Sequence, residues 1–215
     1  MQRGVTLTAE DITFGYDRNP PILEGWSEVF PAGAVTAVTG PSGRGKSTLL
    51  YLLGLMMRPR SGRILLGEVP VQGGADDERA RLRASMFGFV FQDAALDPTR
   101  TVLDNITESA LYRGDDPRDS VERAHELMDR FGVAVRPASR PGQVSGGQAQ
   151  RIALCRALLG RPPLVLADEP TGNLDPESAR TVLDAFAQHA NDGGTVVLVT
   201  HDPQIPAACD QHIRL

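Results

Sequence analysis

The sequence predicts an α/β fold with a mainly parallel central sheet that is covered by helices on both faces. Three short segments have the continuous apolar, β-branched composition of buried parallel strands, and they lie at 34–39, 163–168 and 196–200. They alternate with helical patterns that begin near Lys46 and Pro176. Because strands that alternate with helices form parallel sheets with crossover helices, this order indicates an α/β core.

The other elements follow from hydrophobic periodicity and from turn residues. Further strands are predicted at 5–14, 27–30, 63–66, 86–91 and 211–215. Helices are predicted at 46–57, 101–112, 117–132, 146–159, 176–190 and 203–209. The block at 93–160 is almost entirely helical, and both of its ends fall inside the sheet sequence. We therefore expect one domain over 1–215, in which 93–160 is a helical subdomain and 1–92 and 161–215 form the core.

Composition narrows the class of protein. A length of 215 residues suits a single domain, and 41% apolar and 23% charged residues are ordinary globular values. The net charge of −5 argues against a nucleic-acid partner, which would favour a basic face. The two cysteines, Cys155 and Cys209, lack the spacing of a metal site. No segment approaches the roughly 18 consecutive apolar residues of a membrane span, and the N-terminus lacks the apolar core of a signal peptide.

The strongest local motif is the glycine-rich loop at 40–48, which reads GPSGRGKST. It matches the phosphate-loop pattern and lies between a predicted buried strand and a helix, as that pattern requires. Gly40, Gly43 and Gly45 let the backbone N–H groups turn inward to form an anion site, and the helix adds its positive N-terminal end. A glycine-rich turn that binds nothing would match this pattern by chance in about one chain in a hundred of this length.

Three side chains of this loop have distinct predicted roles. Lys46 supplies a positive charge for the β- and γ-phosphates, Ser47 offers its hydroxyl to Mg²⁺, and Thr48 contacts the α-phosphate. The loop residues that we expect to bind ATP are Gly40, Pro41, Ser42, Gly43, Arg44, Gly45, Lys46, Ser47 and Thr48.

A pair of carboxylates follows the apolar strand at 163–168. A carboxylate at the end of a buried strand is costly unless a cation is present, so we expect Asp168 to face Mg²⁺, directly or through water. Glu169 lies one residue further, where the chain turns at Pro170, and it is the candidate general base for the attacking water. Without the phosphate loop, two solvated acids at the start of a loop would be the simpler interpretation.

The segment at 144–151, VSGGQAQR, resembles the LSGGQ signature of ABC transporter ATPases. The other elements of that family follow in the same order along nearly the whole chain. They are an adenine-stacking aromatic at Tyr16, a Q-loop glutamine at Gln92, the acids Asp168 and Glu169, a D-loop at 172–175, and a switch histidine at His201. Val144 replaces the usual leucine of the signature, and Arg44 replaces a usually small residue.

The resemblance implies a fold and a set of roles. The fold is a P-loop NTPase with a RecA-like α/β core, an N-terminal antiparallel β part and an inserted helical subdomain. Gln92 would reach Mg²⁺ or the attacking water, His201 would contact the γ-phosphate and help hold the attacking water, and Asp175 would cross the dimer axis. Tyr16 would stack on the adenine, for which a strand-edge aromatic without a ligand is the alternative.

The resemblance also implies an assembly. The signature residues Ser145, Gly146, Gly147 and Gln148 begin a helix and would cap the γ-phosphate of ATP that is held by the other subunit. The chain would then work as a homodimer, or paired with another ATPase subunit, around two Mg²⁺–ATP. It would drive an integral membrane permease from the cytoplasmic face of the inner membrane. We expect the permease to contact the segment 93–104, where Leu96, Pro98 and Val102 are the candidate contacts.

The strings at 170–175 and 91–106 look most like the branch of lipoprotein release, macrolide export and the cell-division complex, which suggests export or mechanotransmission. A soluble ABC ATPase that acts on DNA ends or ribosomes is an alternative. However, the chain has neither a long coiled-coil insertion nor a second cassette. A P-loop kinase or GTPase is a third possibility, which would leave the signature segment unexplained.

Overall fold

The computed structural model describes residues 4–16, 20–172 and 174–215, and these form two β-sheets and six α-helices. The strands are β1 (Leu7–Phe14), β2 (Leu23–Phe30), β3 (Val35–Thr39), β4 (Ser61–Leu66), β5 (Val69–Pro70), β6 (Phe87–Val90), β7 (Leu164–Asp168), β8 (Thr195–Val199) and β9 (Gln211–Arg214). The helices are α1 (Lys46–Leu53), α2 (Asp76–Met86), α3 (Val102–Arg113), α4 (Pro117–Arg130), α5 (Gly146–Leu158) and α6 (Pro176–Asn191). Short 3₁₀ turns lie at Pro141–Gln143 and Ile205–Ala208.

The central sheet is parallel, with the strand order β6-β7-β8-β3-β9. Its strands are continuous apolar runs because helices or the second sheet cover both faces. Parallel pairing brings all five carboxyl ends to one edge, where Asp168 of β7 lies opposite Val199 of β8. The predicted α/β class and the parallel sheet are therefore confirmed.

The second sheet is antiparallel and has the order β2-β1-β4-β5. It is the N-terminal β part that the family resemblance implied. Strand β2 begins at Leu23, four residues before the predicted start at 27. The exposed Glu24 and Gly25 separate the buried Leu23 from the half-buried Trp26, so this part of the sequence lacks the two-residue alternation that would indicate a strand.

The core consists of two apolar clusters, one on each face of the central sheet. Along β7, Val165 and Ala167 point into the cluster formed with α3, α4, α5 and α6. Leu164 and Leu166 point into the cluster formed with α1 and the antiparallel sheet. This alternation is the two-residue period of a strand. Cys155 is fully buried in the first cluster, and burial raises the pKa of its thiol to about 12.

Helices α3, α4 and α5 occupy the chain between β6 and β7, as the sequence predicted. Helix α3 begins at a capping box in which the Thr101 hydroxyl accepts from the Asp104 N–H and the Asp104 carboxylate accepts from the Thr101 N–H. Asp116 caps α4 ahead of Pro117. Apart from Ala153, the apolar side chains that these three helices bury belong to the cluster that also contains Val165 and Ala167 of β7. The division at 93–160 remains a prediction.

Helix α2 was missed by the sequence analysis. Its sequence, DDERARLRASM, is almost entirely polar, so it has no apolar stripe that would indicate a helix. The side chains of Arg79 and Arg83 instead attach it to the core by donating to the carbonyl oxygen of Leu55. Met86 ends this helix and does not begin a strand. Strand β6 then ends at Val90, so Gln92 lies two residues beyond the strand end.

Helix α5 lies very close to β6 at Gly88. A Cβ at this position would be nearer to the carbonyl oxygen of Ala157 than any real Cβ contact. The glycine is therefore what allows the backbone of the helix to approach the sheet.

None of the helices within the described ranges has both the length and the apolar character needed to cross a bilayer.

We predict that Gly88→Ala destabilises the protein by about 1–3 kcal/mol, because the new methyl group overpacks the contact with α5. Urea unfolding would measure the loss. Gly73→Ala is the matched control, because a Cβ at that exposed position meets no atom within 4 Å. It should change the free energy of unfolding by less than about 0.5 kcal/mol. Equal stability of the two variants would contradict the close approach.

Candidate nucleotide-binding and hydrolysis site

The predicted site residues lie along the carboxyl edge of the central sheet. The glycine-rich loop follows β3. Asp168 is the last residue of β7, and Glu169 comes directly after it. His201 lies two residues beyond the end of β8. Gln92 follows β6 at the end of the same row. Since β6, β7, β8 and β3 are neighbours in this order, four segments that are far apart in the chain meet at one edge.

The backbone of the glycine-rich loop has the shape of an anion site. Gly43 has φ of 78° and Gly45 has φ of 89°, which are left-handed conformations that other residues adopt only with strain. A Cβ at Gly45 would also collide with the side chain of Ile22. Gly45 is the N-cap of α1, and it provides no side chain to cap the helix. The N–H groups of the first turn are therefore available to an anion.

Lys46 is folded back over this loop. Its Nζ donates to the carbonyl oxygens of Gly40 at 2.9 Å and Pro41 at 3.2 Å, and the residue is 8% exposed. No carboxylate forms an ion pair with this ammonium group among the described residues. A buried ammonium group without a negative partner is costly, so an anionic ligand in the loop would be strongly favoured. The loop therefore fits a phosphate chain.

Asp168 is the best candidate for holding a cation. It is 6% exposed, and its Oδ1 is buried without a hydrogen-bond partner among the described residues. Burial raises the pKa of this carboxyl, with a further increase from Glu169, although a hydrogen bond from Ser47 and the charge of Lys46 oppose the rise. Over the described part of the chain, no group of three His, Cys, Asp or Glu forms a complete metal site. A cation here would therefore also need ligands from Ser47 and from the nucleotide.

Glu169 is held in a strained conformation beside His201. Its φ of 46° is left-handed, which costs about 1–3 kcal/mol for a residue other than glycine. Its backbone N–H donates to the carbonyl oxygen of Val199 at 2.9 Å, and its own carbonyl oxygen accepts from Gly172 at 3.2 Å. One carboxylate oxygen lies 2.8 Å from Nδ1 of His201, and the other accepts from the His201 backbone N–H at 3.3 Å. The strain thus aims the carboxylate into the site.

Nδ1 of His201 faces Glu169, so Nε2 lies on the far side of the ring from that carboxylate. The side chain is 65% exposed, so it is accessible to a nucleotide. The predicted contacts of His201 with the γ-phosphate and with the attacking water remain predictions.

Tyr16 lies at the rim of the phosphate loop. Its Oη is 3.4 Å from the Thr48 hydroxyl, and its ring meets Phe14 edge to face. The residue is 47% exposed, so one face of the ring is open, as stacking on a base requires. Gln92 is also exposed, on the segment that follows β6.

The signature segment forms the N-terminus of α5. The Ser145 hydroxyl accepts from the Gln148 N–H at 3.2 Å, and the Gln148 side chain accepts from the Ser145 N–H at 2.9 Å. Gly146 and Gly147 make up the first turn, whose N–H groups form a second anion site of the same kind as the first. Around a Cβ at Gly147, the nearest atoms within 4 Å belong to Leu174, Asp175 and Ser178, and none belongs to the phosphate loop.

The D-loop is joined to the signature helix within one chain. Asp175 is the N-cap of α6 and also accepts from the Ser178 hydroxyl at 2.6 Å, and these bonds lower the pKa of its carboxyl. Ser178 in turn accepts from Arg151 of α5 at 2.8 Å. Asn173 lies outside the described residues. The predicted contact of Asp175 across a dimer axis remains a prediction.

The sequence analysis did not single out the residues of α5 that hold the segment around Gln92. Gln150 donates to the carbonyl oxygen of Phe91, and Arg156 donates to those of Ala94 and Ala95. No local pattern marks such long-range bonds to backbone atoms.

Comparison with known proteins gives a consistent result. The family model described as ABC transporter matches residues 23–172. The lipoprotein-releasing system ATP-binding protein LolD of Bordetella pertussis is 39% identical, over 99% of this chain and 94% of that protein. The macrolide export ATP-binding/permease protein MacB of Nitrobacter winogradskyi is 44% identical, over 86% of this chain and 28% of that protein. Among solved structures, the dimeric ATP-binding cassette MJ0796 bound to ADP and Pi in a post-hydrolysis state superposes with a TM-score of 0.89. It is 30% identical, over 97% of this chain and 94% of that chain.

We predict that Asp168→Asn raises the free energy of unfolding of the nucleotide-free protein near pH 7. The raised pKa means that the folded state holds the proton more tightly than the unfolded state, so the charged form costs stability as the pH rises. The gain should shrink as the pH falls and wild-type Asp168 becomes protonated. Urea unfolding at several pH values would measure both effects. The exposed Asp184→Asn is the control, and an equal gain at every pH would contradict the interpretation.

Proposed function

This chain belongs to the ABC transporter family, and on that basis we propose that it is the ATP-binding and ATP-hydrolysing subunit that drives a separate membrane permease. The single observation that best supports hydrolysis is the strained Glu169, whose carboxylate is held by His201 at the sheet edge that also carries the phosphate loop. Backbone strain of this kind is concentrated at functional sites, and here it lies beside the phosphate loop.

The proposed reaction transfers the γ-phosphoryl group of ATP to water. The phosphate loop and Lys46 hold the phosphates, and Glu169 accepts a proton from the attacking water while the bond to the β-phosphate oxygen breaks. His201 keeps the Glu169 carboxylate in place. Bound Mg²⁺ would neutralise phosphate charge, and its proposed ligands are Ser47, Asp168 and Gln92.

We propose further that two copies, or this chain and a related subunit, pair head to tail around two ATP molecules. The N-terminus of α5 is an anion site whose close neighbours are D-loop residues and not the phosphate loop of its own chain. A second subunit that brings its phosphate loop to Ser145 would complete both sites by two-fold symmetry. The dimeric assembly of MJ0796 supports this arrangement.

Of the permease contacts expected at Leu96, Pro98 and Val102, only Val102 needs correction. Val102 is completely buried in the core, whereas Leu96 is partly buried against the same cluster and Pro98 is exposed. A better candidate is a mainly apolar groove of about 510 Å³ between α2, β6, α3 and α5, which we name the α2–α3 groove. Phe87, Phe89 and Tyr112 are among the residues that line it. We propose that a short helix of the permease occupies this groove.

LolD and MacB, the relatives reported above, support the branch of lipoprotein release and macrolide export, in which we place this protein as a hypothesis. Its position would then be peripheral, at the cytoplasmic face of the inner membrane. A soluble ABC ATPase that acts on nucleic acid or ribosomes is not favoured by any feature of the site. We expect no nucleic-acid partner.

We predict that Glu169→Gln preserves ATP binding but lowers turnover by about 10²–10⁴-fold, because the amide cannot accept the proton. The variant should also accumulate as an ATP-bound dimer in size-exclusion chromatography. Lys46→Ala is the contrasting variant, in which ATP binding itself should weaken and no dimer should form. If Glu169→Gln turned over at the wild-type rate, Glu169 would not be the base.

For the permease contact, we predict that Tyr112→Ala weakens co-purification with the membrane partner. Tyr112 is 71% exposed at the end of α3, so truncation removes partner contacts without opening the core. Val69→Ala is the control, because Val69 is 62% exposed on the antiparallel sheet and does not line the groove. Thermal unfolding would check the fold of both variants. Equal recovery of the partner with both would argue against the groove.

A further inference from the structure

The side chain of Arg156 in α5 is hydrogen-bonded to the turn that follows Gln92. Its Nη1 donates to the carbonyl oxygen of Ala95 at 2.7 Å, and its Nη2 donates to that of Ala94 at 2.7 Å. Two short bonds from one planar guanidinium fix both the position and the orientation of this turn. Arg156 also lines the α2–α3 groove.

The turn that Arg156 holds is strained. Ala94 has φ of 61° and Ala95 has φ of 45°, so two consecutive residues with side chains adopt the left-handed conformation. This conformation is unfavourable for a residue with a side chain, and the surrounding contacts must offset its cost. Ala94 is also buried, with 2% of its surface exposed, so the turn is fixed from both sides.

Gln92 lies between two segments that are anchored to α5. Before it, the Gln150 side chain donates to the carbonyl oxygen of Phe91 at 3.1 Å. After it, Arg156 holds the strained turn. The side chain of Gln92 is exposed, so packing of its own restrains it little, and the backbone on either side decides where it can reach.

We propose that Arg156 is a positioning residue for Gln92. By holding the turn at Ala94 and Ala95 in its left-handed conformation, it aims the Gln92 amide at the cation and water of the hydrolysis site. This inference rests on the proposed function of the chain and adds to it a residue that does not touch the nucleotide. Lysine cannot replace arginine here, because one ammonium group cannot make the same two-pronged contact with both carbonyl oxygens.

A purely structural role for Arg156 predicts different behaviour. If Arg156 served only to stabilise the fold, its loss would lower stability and would act equally with and without the Gln92 side chain. If it acts through Gln92, its loss should matter only while that side chain is present. A double-mutant cycle separates the two cases.

The experiment compares ATP hydrolysis by the full chain and by the variants Arg156→Lys, Gln92→Ala and the double variant. Arg156→Lys alone should lower kcat by about tenfold and change KM by less than about twofold, because the error lies in alignment and not in ATP binding. Adding Arg156→Lys to Gln92→Ala should change kcat by less than about twofold. An equal loss in both backgrounds would overturn the proposal, as would an unchanged kcat for Arg156→Lys.

A second readout does not depend on turnover of the Gln92→Ala background. The Mg²⁺ concentration that half-saturates ATP binding, measured by equilibrium titration without turnover, should rise for Arg156→Lys, since the misplaced amide no longer supports the cation. Arg123→Lys is the matched control, because Arg123 is a partly buried arginine of α4 that bonds to Glu126. It should leave both kcat and the Mg²⁺ requirement unchanged. An unaltered Mg²⁺ requirement in Arg156→Lys would count against the proposal.

These outcomes are separate from a failure of the proposed function itself. If the wild-type chain hydrolysed no ATP, or if Glu169→Gln had no effect on hydrolysis, the proposed function would be wrong. If the wild-type chain hydrolyses ATP and Glu169→Gln does not, the proposed function stands. An equal loss of kcat in both backgrounds of the Arg156 cycle would then contradict only the role proposed for Arg156.

Discussion

Parallel pairing of β6, β7, β8 and β3 forces the carboxyl ends of four strands to a single edge of the sheet. The phosphate loop, the two acids, His201 and Gln92 belong to segments separated by up to about three quarters of the chain, and only this pairing brings them together. The apolar composition of the strands secures the arrangement, because a strand shifted by one residue would exchange its two buried faces. The geometry of the site is thus a product of the core.

Strain at this edge is balanced by hydrogen bonds from neighbouring elements. Glu169 has a left-handed backbone, which is fixed by Val199, Gly172 and His201. The turn after Gln92 is held in the same manner by a helix that begins at the signature segment. In both places, an unfavourable conformation persists because bonds from other parts of the fold offset its cost. Glu169 therefore has little freedom to turn away from the site.

The sequence predicted the parts of this molecule that have a local signal. Continuous apolar strands, the glycine-rich loop and the strand-end acids each depend on residues that are close in the chain, and the fold class they indicate is confirmed. Helix α2 was missed because arginine bonds to Leu55, and not an apolar stripe, hold it in place. The expected exposure of Val102 was wrong because its burial is decided by how α3 packs. The links from Arg151 and Arg156 to distant backbone and hydroxyl groups likewise have no local pattern.

The contact between Gly88 and Ala157 has a mechanical consequence for helix α5. It holds the C-terminal end of the helix against the sheet, while Ser145 lies twelve residues away at the N-terminal end. At 1.5 Å per residue the arm is about 18 Å long. A tilt of the helix by about 10° around this contact would displace its N-terminus by about 3 Å, which is the length of one hydrogen bond. A small rotation is therefore enough to engage or release a phosphate.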